Sequence, residues 1–392
     1  MAVRRSSLGL IVAALAATIL GACGRGASDL TRVGVIGPEP KLVETVTAPL
    51  TAGEALVRAN LAQGLVRFDE RGQVIPGLAE RWNVSDDGLS YIFRLQTGEW
   101  PDGRKIKADE IARILSRQLR AASKNPLKDT LGAVSEIVAM TDRVIEIRLN
   151  APRPNLLQLL AQPEFGLVRA SVGTGPFLPA TAEQIAPLPA ELKKQPGIFL
   201  AHRIRIPDAE DPVEKIHLSS GEAAKLVAAF AKGDLELVLG GTVGDLPYAL
   251  RAKVPRGARR FDPVSGLFGL APTGRREALK ERDVRRLLSS AIDREALIAG
   301  LHVSGLQPRA TILQAGLEGT GPPPQPAWLG QPAVERRPAL VAEARRLFGE
   351  VELPVLRIKL PDGPGGDYLL ARLRYDWGPF GLRVERAPTV AS

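Results

Sequence analysis

A single cysteine, Cys23, stands in this chain of 392 residues, and only three histidines accompany it, His202, His217 and His302. No intrachain disulfide can form, and a Cys/His zinc site is very improbable because it would need all four of these scattered residues, so the fold is expected to hold without a covalent or metal staple. Hydrophobic residues make up 45% of the chain, enough for that purpose, and the length corresponds to more than one domain. Arg4 and Arg5 precede an apolar run over residues 8–20, too short to span a bilayer comfortably and shaped like a secretory signal segment.

The cysteine follows that run directly. Leu20-Gly21-Ala22-Cys23 resembles the lipobox of bacterial lipoproteins: a branched apolar residue, two small residues that fit a peptidase cleft, and the cysteine to be lipidated. The resemblance implies a signal peptide over residues 1–22, lipid on Cys23 and a tether over residues 23–28. Past the tether, period-two and helical patterns alternate. Tyr91, Phe93 and Leu95 share one strand face, and Ile145, Ile147 and Leu149 another, with Glu146 and Arg148 opposite. Between them Ile111, Ile114, Leu115 and Leu119 recur at helical spacing, with Asp109 near the start where a carboxylate favours the helix end. Val284, Leu287, Leu288, Ala291 and Ile292 form a second helical stripe. Leu340, Ala344, Leu347 and Phe348 form a third, which the pattern opens at Pro338. Residues 356–360 and 382–384 read as later strands, and residues 319–332 and 361–366 as loops. The architecture is mixed α/β in more than one lobe.

Motifs for catalysis are absent. The sequence contains no G-x-S-x-G elbow, no H-E-x-x-H and no Walker A loop, and Gly363-Pro364-Gly365-Gly366 lacks dinucleotide-site spacing. No enzyme, cofactor or metal site is expected. His217 reads as a solvated strand residue opposite Ile216 and Leu218, and neither His202 nor His302 has an acidic neighbour that would make it a base. Arg282, Arg285 and Arg286 read as the solvated face of their helix, and Asp86-Asp87-Gly88 as a hairpin turn. Lys and Arg total 52 against 43 Asp and Glu, a net charge of +9, but the charges are largely interleaved and aromatics are only 5%, so nucleic acid is not expected as a partner.

A family resemblance covers most of the chain. Residues 63–69 (Gln-Gly-Leu-Val-Arg-Phe-Asp), 75–82 (Ile-Pro-Gly-Leu-Ala-Glu-Arg-Trp) and 85–95, from Ser85-Asp86-Asp87-Gly88 to Leu95, resemble in order and spacing the solute-binding proteins of the peptide and nickel ABC importers, family 5. So do Trp100-Pro101-Asp102-Gly103, Lys107-Ala108-Asp109-Glu110, the loop Gly173-Thr174-Gly175-Pro176-Phe177, the turn Gly233-Asp234-Leu235-Glu236-Leu237 with Glu236 in place of the usual Asp, and the helix from Arg282 to Arg294.

The resemblance implies a two-lobed periplasmic binding protein fold of type II with an extra subdomain in the first lobe, closing on solute by a hinge. By position, residues 29–62 and 171–266 would form lobe I, 63–170 the inserted subdomain and 267–392 lobe II. The family's second lobe continues beyond the strand resembling residues 382–385, whereas this chain stops at Ser392, so lobe II is expected to be shortened. Where some members place an aromatic over the ligand, this chain has Leu127. Alignment puts Thr51, Ala52, Leu127 and Ser265 on the cleft wall. The expected role is the lipid-anchored, monomeric substrate-binding component of an ABC importer at a bacterial membrane, in the periplasm or on the cell surface, for peptides or similar small solutes, with an ABC permease as partner. A shortened relative that senses or interacts in the envelope is the alternative.

Overall fold

Local patterning and packing agree over most of the chain. The computed structural model describes residues 30–202, 215–261, 266–273, 279–313, 321–349 and 355–388, which fall into two compact units, residues 1–240 and 241–392. In chain order the first unit carries β1 (Leu30–Ile36), α1 (Ala52–Leu61), β2 (Ala79–Val84), β3 (Ser90–Leu95), α2 (Ala108–Leu119), β4 (Val134–Thr141), β5 (Val144–Leu149), β6 (Phe177–Pro179), β7 (Ile198–His202), β8 (Lys215–Gly221), α3 (Ala223–Lys232) and β9 (Leu237–Gly240). The second carries α4 (Leu246–Arg251), α5 (Arg282–Ala291), α6 (Arg294–Leu301), α7 (Ala333–Phe348), β10 (Leu356–Ile358), α8 (Pro364–Trp377) and β11 (Val384–Arg386).

Two cores build the first unit. The antiparallel sheet β2-β3-β5-β4 turns Phe93, Ile145 and Ile147 inward, and α2 lays Ile111 and Leu115 over them. The period-two and helical readings of residues 90–149 are therefore found as a helix crossing a sheet. Trp100 closes this core at 1% exposure. Its Nε1–H donates to Glu110 Oε2 at 2.9 Å, and the Arg169 guanidinium lies 5.7 Å from its ring while pairing with Asp102 and Glu110. The Trp-Pro-Asp-Gly motif thus does packing and positioning work.

The second core lies under a mixed sheet of order β6-β7-β8-β1-β9, in which β1 runs parallel to both β8 and β9. Val33, Val35 and Leu218 meet Val57 and Leu61 of α1. Glu236 fastens β9 to β1: its Oε2 accepts the Arg32 backbone N–H at 2.7 Å, its carboxylate pairs with the Arg32 guanidinium, and its own N–H donates to the Arg32 carbonyl at 3.0 Å. A glutamate in place of the usual aspartate therefore still bridges the two strands.

In the second unit β10 and β11 pair in parallel, and the chain between them forms α8, as a parallel connection requires. Leu369, Leu373 and Trp377 of α8 pack on Leu287 and Leu288 of α5 and on Leu340 and Ala344 of α7. Trp377 Nε1–H donates to the Leu288 carbonyl at 2.9 Å. Two readings are corrected here. Residues 364–366 open a helix instead of continuing a loop, because Pro364 fits a first turn and Gly365 comes close enough to donate its N–H to the Gly244 carbonyl at 2.9 Å. The helix read from Pro338 begins five residues earlier at Ala333, with Pro338 inside it. The Pro332 carbonyl accepts the Glu335 and Arg336 amides, and the acceptor that Pro338 leaves vacant belongs to Val334, whose residue is 69% exposed.

Candidate functional site

The residues aligned to the cleft wall begin where β1 ends. β8, α3 and β9 form a crossover that leaves β1 between its two parallel neighbours, so the carboxyl end of β1 is the point at which an open α/β sheet offers room for a ligand. α1 starts there. Gly53 packs against Val35 of β1 and Pro40, which holds the helix end close to the strand end. Thr51 is the N-cap: its Oγ1 accepts the Glu54 N–H at 3.2 Å and its own N–H donates to Glu54 Oε2 at 2.8 Å, a complete capping box. Thr51 and Ala52 are both exposed. The Thr51 hydroxyl keeps its proton to donate, and the Ala52 amide is among the helix-end donors that the capping box leaves untaken.

Leu127 belongs to a different element. It sits in the loop after α2, accepts the Leu131 amide, donates its N–H to Asn125 Oδ1 at 2.9 Å and packs its half-buried side chain against the core under the β2-β3-β5-β4 sheet. This loop and the one before α1 meet: Lys124 N–H donates to the Val46 carbonyl, while Thr45 Oγ1 and Asn125 Nδ2 both donate to the Glu164 carbonyl, at 3.1 and 3.5 Å. Thr51 and Ala52 are thus adjacent on one helix end, and Leu127 is on a loop tied to the segment just before it. Ser265 and Cys23 lie outside the described residues.

Sequence reasoning missed the residue that organises this joint. Arg58, on the buried face of α1, is 1% exposed; its guanidinium donates to the Gly166 carbonyl at 2.6 Å and to the Val43 carbonyl. Burial pushes its pKa down to about 10, with Glu44 and Glu164 acting in the opposite sense. Its sequence signal is weak: an arginine between Val57 and Leu61, in a helix whose other buried positions are apolar or Gly. The Gly173-Thr174-Gly175 loop completes the joint. A Cβ on either glycine would overlap the backbone at the end of α1, while Gly175 N–H donates to the Leu61 carbonyl at 2.9 Å and Gln63 Nε2 to that of Thr174 at 2.9 Å. That motif serves close backbone packing.

His217 corrects an expectation. It is 1% exposed, because β8 is an interior strand covered on both faces, and its ring stacks on Phe199 at 4.4 Å. Desolvation pushes its pKa below the usual histidine value, the Pro196 carbonyl opposes that shift, and the Arg32 charge adds to it. His202 meets Phe177 edge to face at 5.0 Å, and His302 caps α6 in the left-handed region. Arg285 and Arg286 are exposed as expected, the first on the Leu279 and Lys280 carbonyls and the second on Glu343. Among the described residues no group of three or more His, Cys, Asp or Glu side chains is arranged to hold a metal ion, and no helix is long and apolar enough to cross a membrane.

Comparison with known proteins follows this geometry. Over 366 residues the chain is 22% identical to a di/tripeptide-binding protein of Pseudomonas aeruginosa UCBPP-PA14, covering 82% of this chain and 64% of that one. It is 30% identical over 143 residues to a probable deoxycholate-binding periplasmic protein of Escherichia coli K12, covering 32% of this chain and 26% of the relative. A glutathione-binding protein of the same strain matches at 25% over 190 residues, covering 45% of this chain and 36% of that one. The alignments thus span less than two thirds of these relatives' lengths. In structure, the murein tripeptide binding protein of Escherichia coli superposes with a TM-score of 0.69 at 15% identity, over 92% of this chain and 75% of its own. The OppA protein of Burkholderia pseudomallei does so at 0.69 and 17%, over 92% and 76%. The fold is accordingly the mixed α/β, two-lobed architecture of periplasmic binding proteins. A family model matches residues 73–354, and the chain belongs to the bacterial extracellular solute-binding proteins, family 5.

Proposed function

We propose that this protein captures a small solute at the bacterial envelope, a peptide or a compound of similar size, and delivers it to the permease of an ABC importer, as a monomer and without catalysing a reaction. The observation that carries this reading is the family match over residues 73–354. The relatives named for di/tripeptide and glutathione binding favour the solute class. The proposed wall is Thr51, Ala52, Leu127 and Ser265. The proposed organisation is residues 29–62 and 171–266 as lobe I, 63–170 as its inserted subdomain and 267–392 as lobe II. Cys23, after removal of residues 1–22, would carry the lipid that holds the protein at the membrane.

Mass spectrometry of the protein purified under native conditions tests the capture reading. A co-purifying small molecule that dissociates on unfolding, and that restores the shift in mass when added back, is the expected result. A protein that carries nothing and responds to no member of a broad solute panel would overturn it. For the anchor, Cys23→Ser should move the protein out of the membrane fraction or leave it unprocessed, and a processed wild-type protein without lipid would refute it.

A further inference from the structure

The charge of this chain is not interleaved everywhere. Between Leu246 and Phe261 there are five cations, Arg251, Lys253, Arg256, Arg259 and Arg260, and no aspartate or glutamate. The same stretch has no Asn, Gln, Ser or Thr; apart from Tyr248 and the cations it is built of apolar residues, Gly and Pro.

The structure gives this stretch a definite form. After α4 the chain turns with Val254 N–H on the Ala252 carbonyl and Ala258 N–H on the Pro255 carbonyl. It then folds back so that Arg259 donates to the Ala249 and Leu250 carbonyls at 3.3 and 3.2 Å, against the negative end of α4. One cation is thus used to close the loop. The other four, Arg251, Lys253, Arg256 and Arg260, are exposed and have no ion-pair partner among the described residues. At the end of the loop Phe261 is 45% exposed. Leu267, Phe268 and Leu270 are 57%, 60% and 45% exposed. Chain length keeps Leu267 within about 20 Å of Phe261.

We propose that the loop over residues 251–261 docks this protein on an anionic lipid surface. A partner read by complementary polar groups would be met by side chains that accept as well as donate, whereas the side chains of residues 251–261 are all cationic donors or apolar and include no acceptor. A phospholipid headgroup layer asks for no more: dispersed negative charge for the long, flexible cations, and an apolar boundary for Phe261. Four cations without an ion-pair partner among the described residues, beside an exposed aromatic ring, combine the electrostatic and apolar components by which peripheral segments hold a membrane. Thr51, Ala52 and Leu127 of the proposed solute wall lie on other elements, and vesicle partition is read without any solute, so the outcome of its test is distinguishable from that of the capture reading.

Vesicle co-flotation of residues 23–392 carrying Cys23→Ser, which removes any contribution from attached lipid and from the apolar run over residues 8–20, is the test. Phosphatidylcholine vesicles with and without phosphatidylglycerol are compared at low and high salt. Partition should depend on phosphatidylglycerol and weaken with salt. Replacing Lys253, Arg256 and Arg260 together by Gln should lower partition on the order of a hundredfold. The charge-conserving pair Arg256→Lys and Arg260→Lys should retain it, and Phe261→Ser should lower it several-fold. Matching far-ultraviolet spectra and melting temperatures establish that the variants fold. Equal partition onto both kinds of vesicle, or an unchanged partition for the Gln variant, would overturn the proposal. So would retention on immobilised polyglutamate without retention on anionic vesicles, which would identify an acidic polypeptide as the partner instead.

Discussion

Arg58 keeps a charge in a place where burial opposes it, because two backbone carbonyls from different segments, Val43 and Gly166, converge on its guanidinium. Replacing it by Met fills most of the volume but leaves both carbonyls without that donor, at roughly 1–3 kcal/mol for each group that water cannot reach. Relief of the buried charge offsets part of this, so Arg58→Met is expected to lower stability by about 2 kcal/mol. A urea titration reads this as a lower midpoint at unchanged slope, and a change below about 0.5 kcal/mol would mean that the joint does not depend on Arg58. Glu236 is a different case, because it and Arg32 are partly exposed and solvent screens them. The hydrogen bonds from Arg32 hold its carboxyl below the usual glutamate range. A depressed folded-state value stabilises the fold above the unfolded value of about 4.3, and that contribution is lost as pH falls through the lower folded one. The stability gap between wild type and Glu236→Gln should therefore be at most about 1 kcal/mol near neutrality and should close on acidification. Urea titrations across that range check it, and a gap that does not change with pH would disprove the ionic origin.

At the scale of elements, α7 contains a rule violation that can be undone. Pro338 is exposed and lies inside the helix, past its first turn. Pro338→Ala restores a donor for the Val334 carbonyl and should stabilise the protein by about 1–3 kcal/mol, read as a higher urea midpoint. A loss of stability would show that the helix needs proline there. The same helix shows how far elements can be read from sequence. Its apolar stripe, Leu340 to Phe348, was legible, while its start was not, because proline is the strongest local stop signal and tertiary packing overrode it. α2, β3, β5 and α5 were legible as elements, since each has one buried face and one wet one, but the α5 reading ran on through Ile292 to Arg294, whereas the helix ends at Ala291 and Asp293 caps α6. α8 was missed because its first turn, Pro364-Gly365-Gly366, has the composition of a loop, and the reason for the glycines, contact with the chain at Gly244, is nonlocal. His217 and Arg58 were misread or missed for a related reason. A polar residue in a periodic pattern marks the solvent side only when that side has no covering layer, and β8 is covered on both faces while α1 has its flank against the 163–166 turn. For the site, the Gly173-Thr174-Gly175 motif fell on the contact between α1 and its neighbouring loops. The wall positions came from alignment alone, since Thr51, Ala52 and Leu127 have no polar signature of their own.

For the whole molecule the question is what chemistry a captured solute would meet. Thr51, Ala52, Leu127 and Ser265 carry no formal charge, and the Thr51 backbone N–H and side-chain oxygen already bond within the capping box. A free peptide brings a charged amino group and a carboxylate, and desolvating either without a partner costs several kcal/mol, roughly what burial of an unmatched ion costs. The wall proposed above, being neutral, would therefore favour solutes whose ends are masked or apolar. The expected outcome is that acetylated and amidated short peptides, or apolar solutes of that size, bind at least as tightly as the same peptides with free ends. A ligand that binds only the folded state stabilises it by mass action, by about 2.7 kcal/mol at a hundredfold excess over Kd. Thermal denaturation across matched free and blocked peptides therefore reports the preference, whichever solute is the natural one. A large stabilisation by free peptides that disappears on acetylation would defeat the prediction. It would mean that an acid other than these wall residues neutralises the peptide amine, and that the acid should be sought among the carboxylates around the carboxyl end of β1.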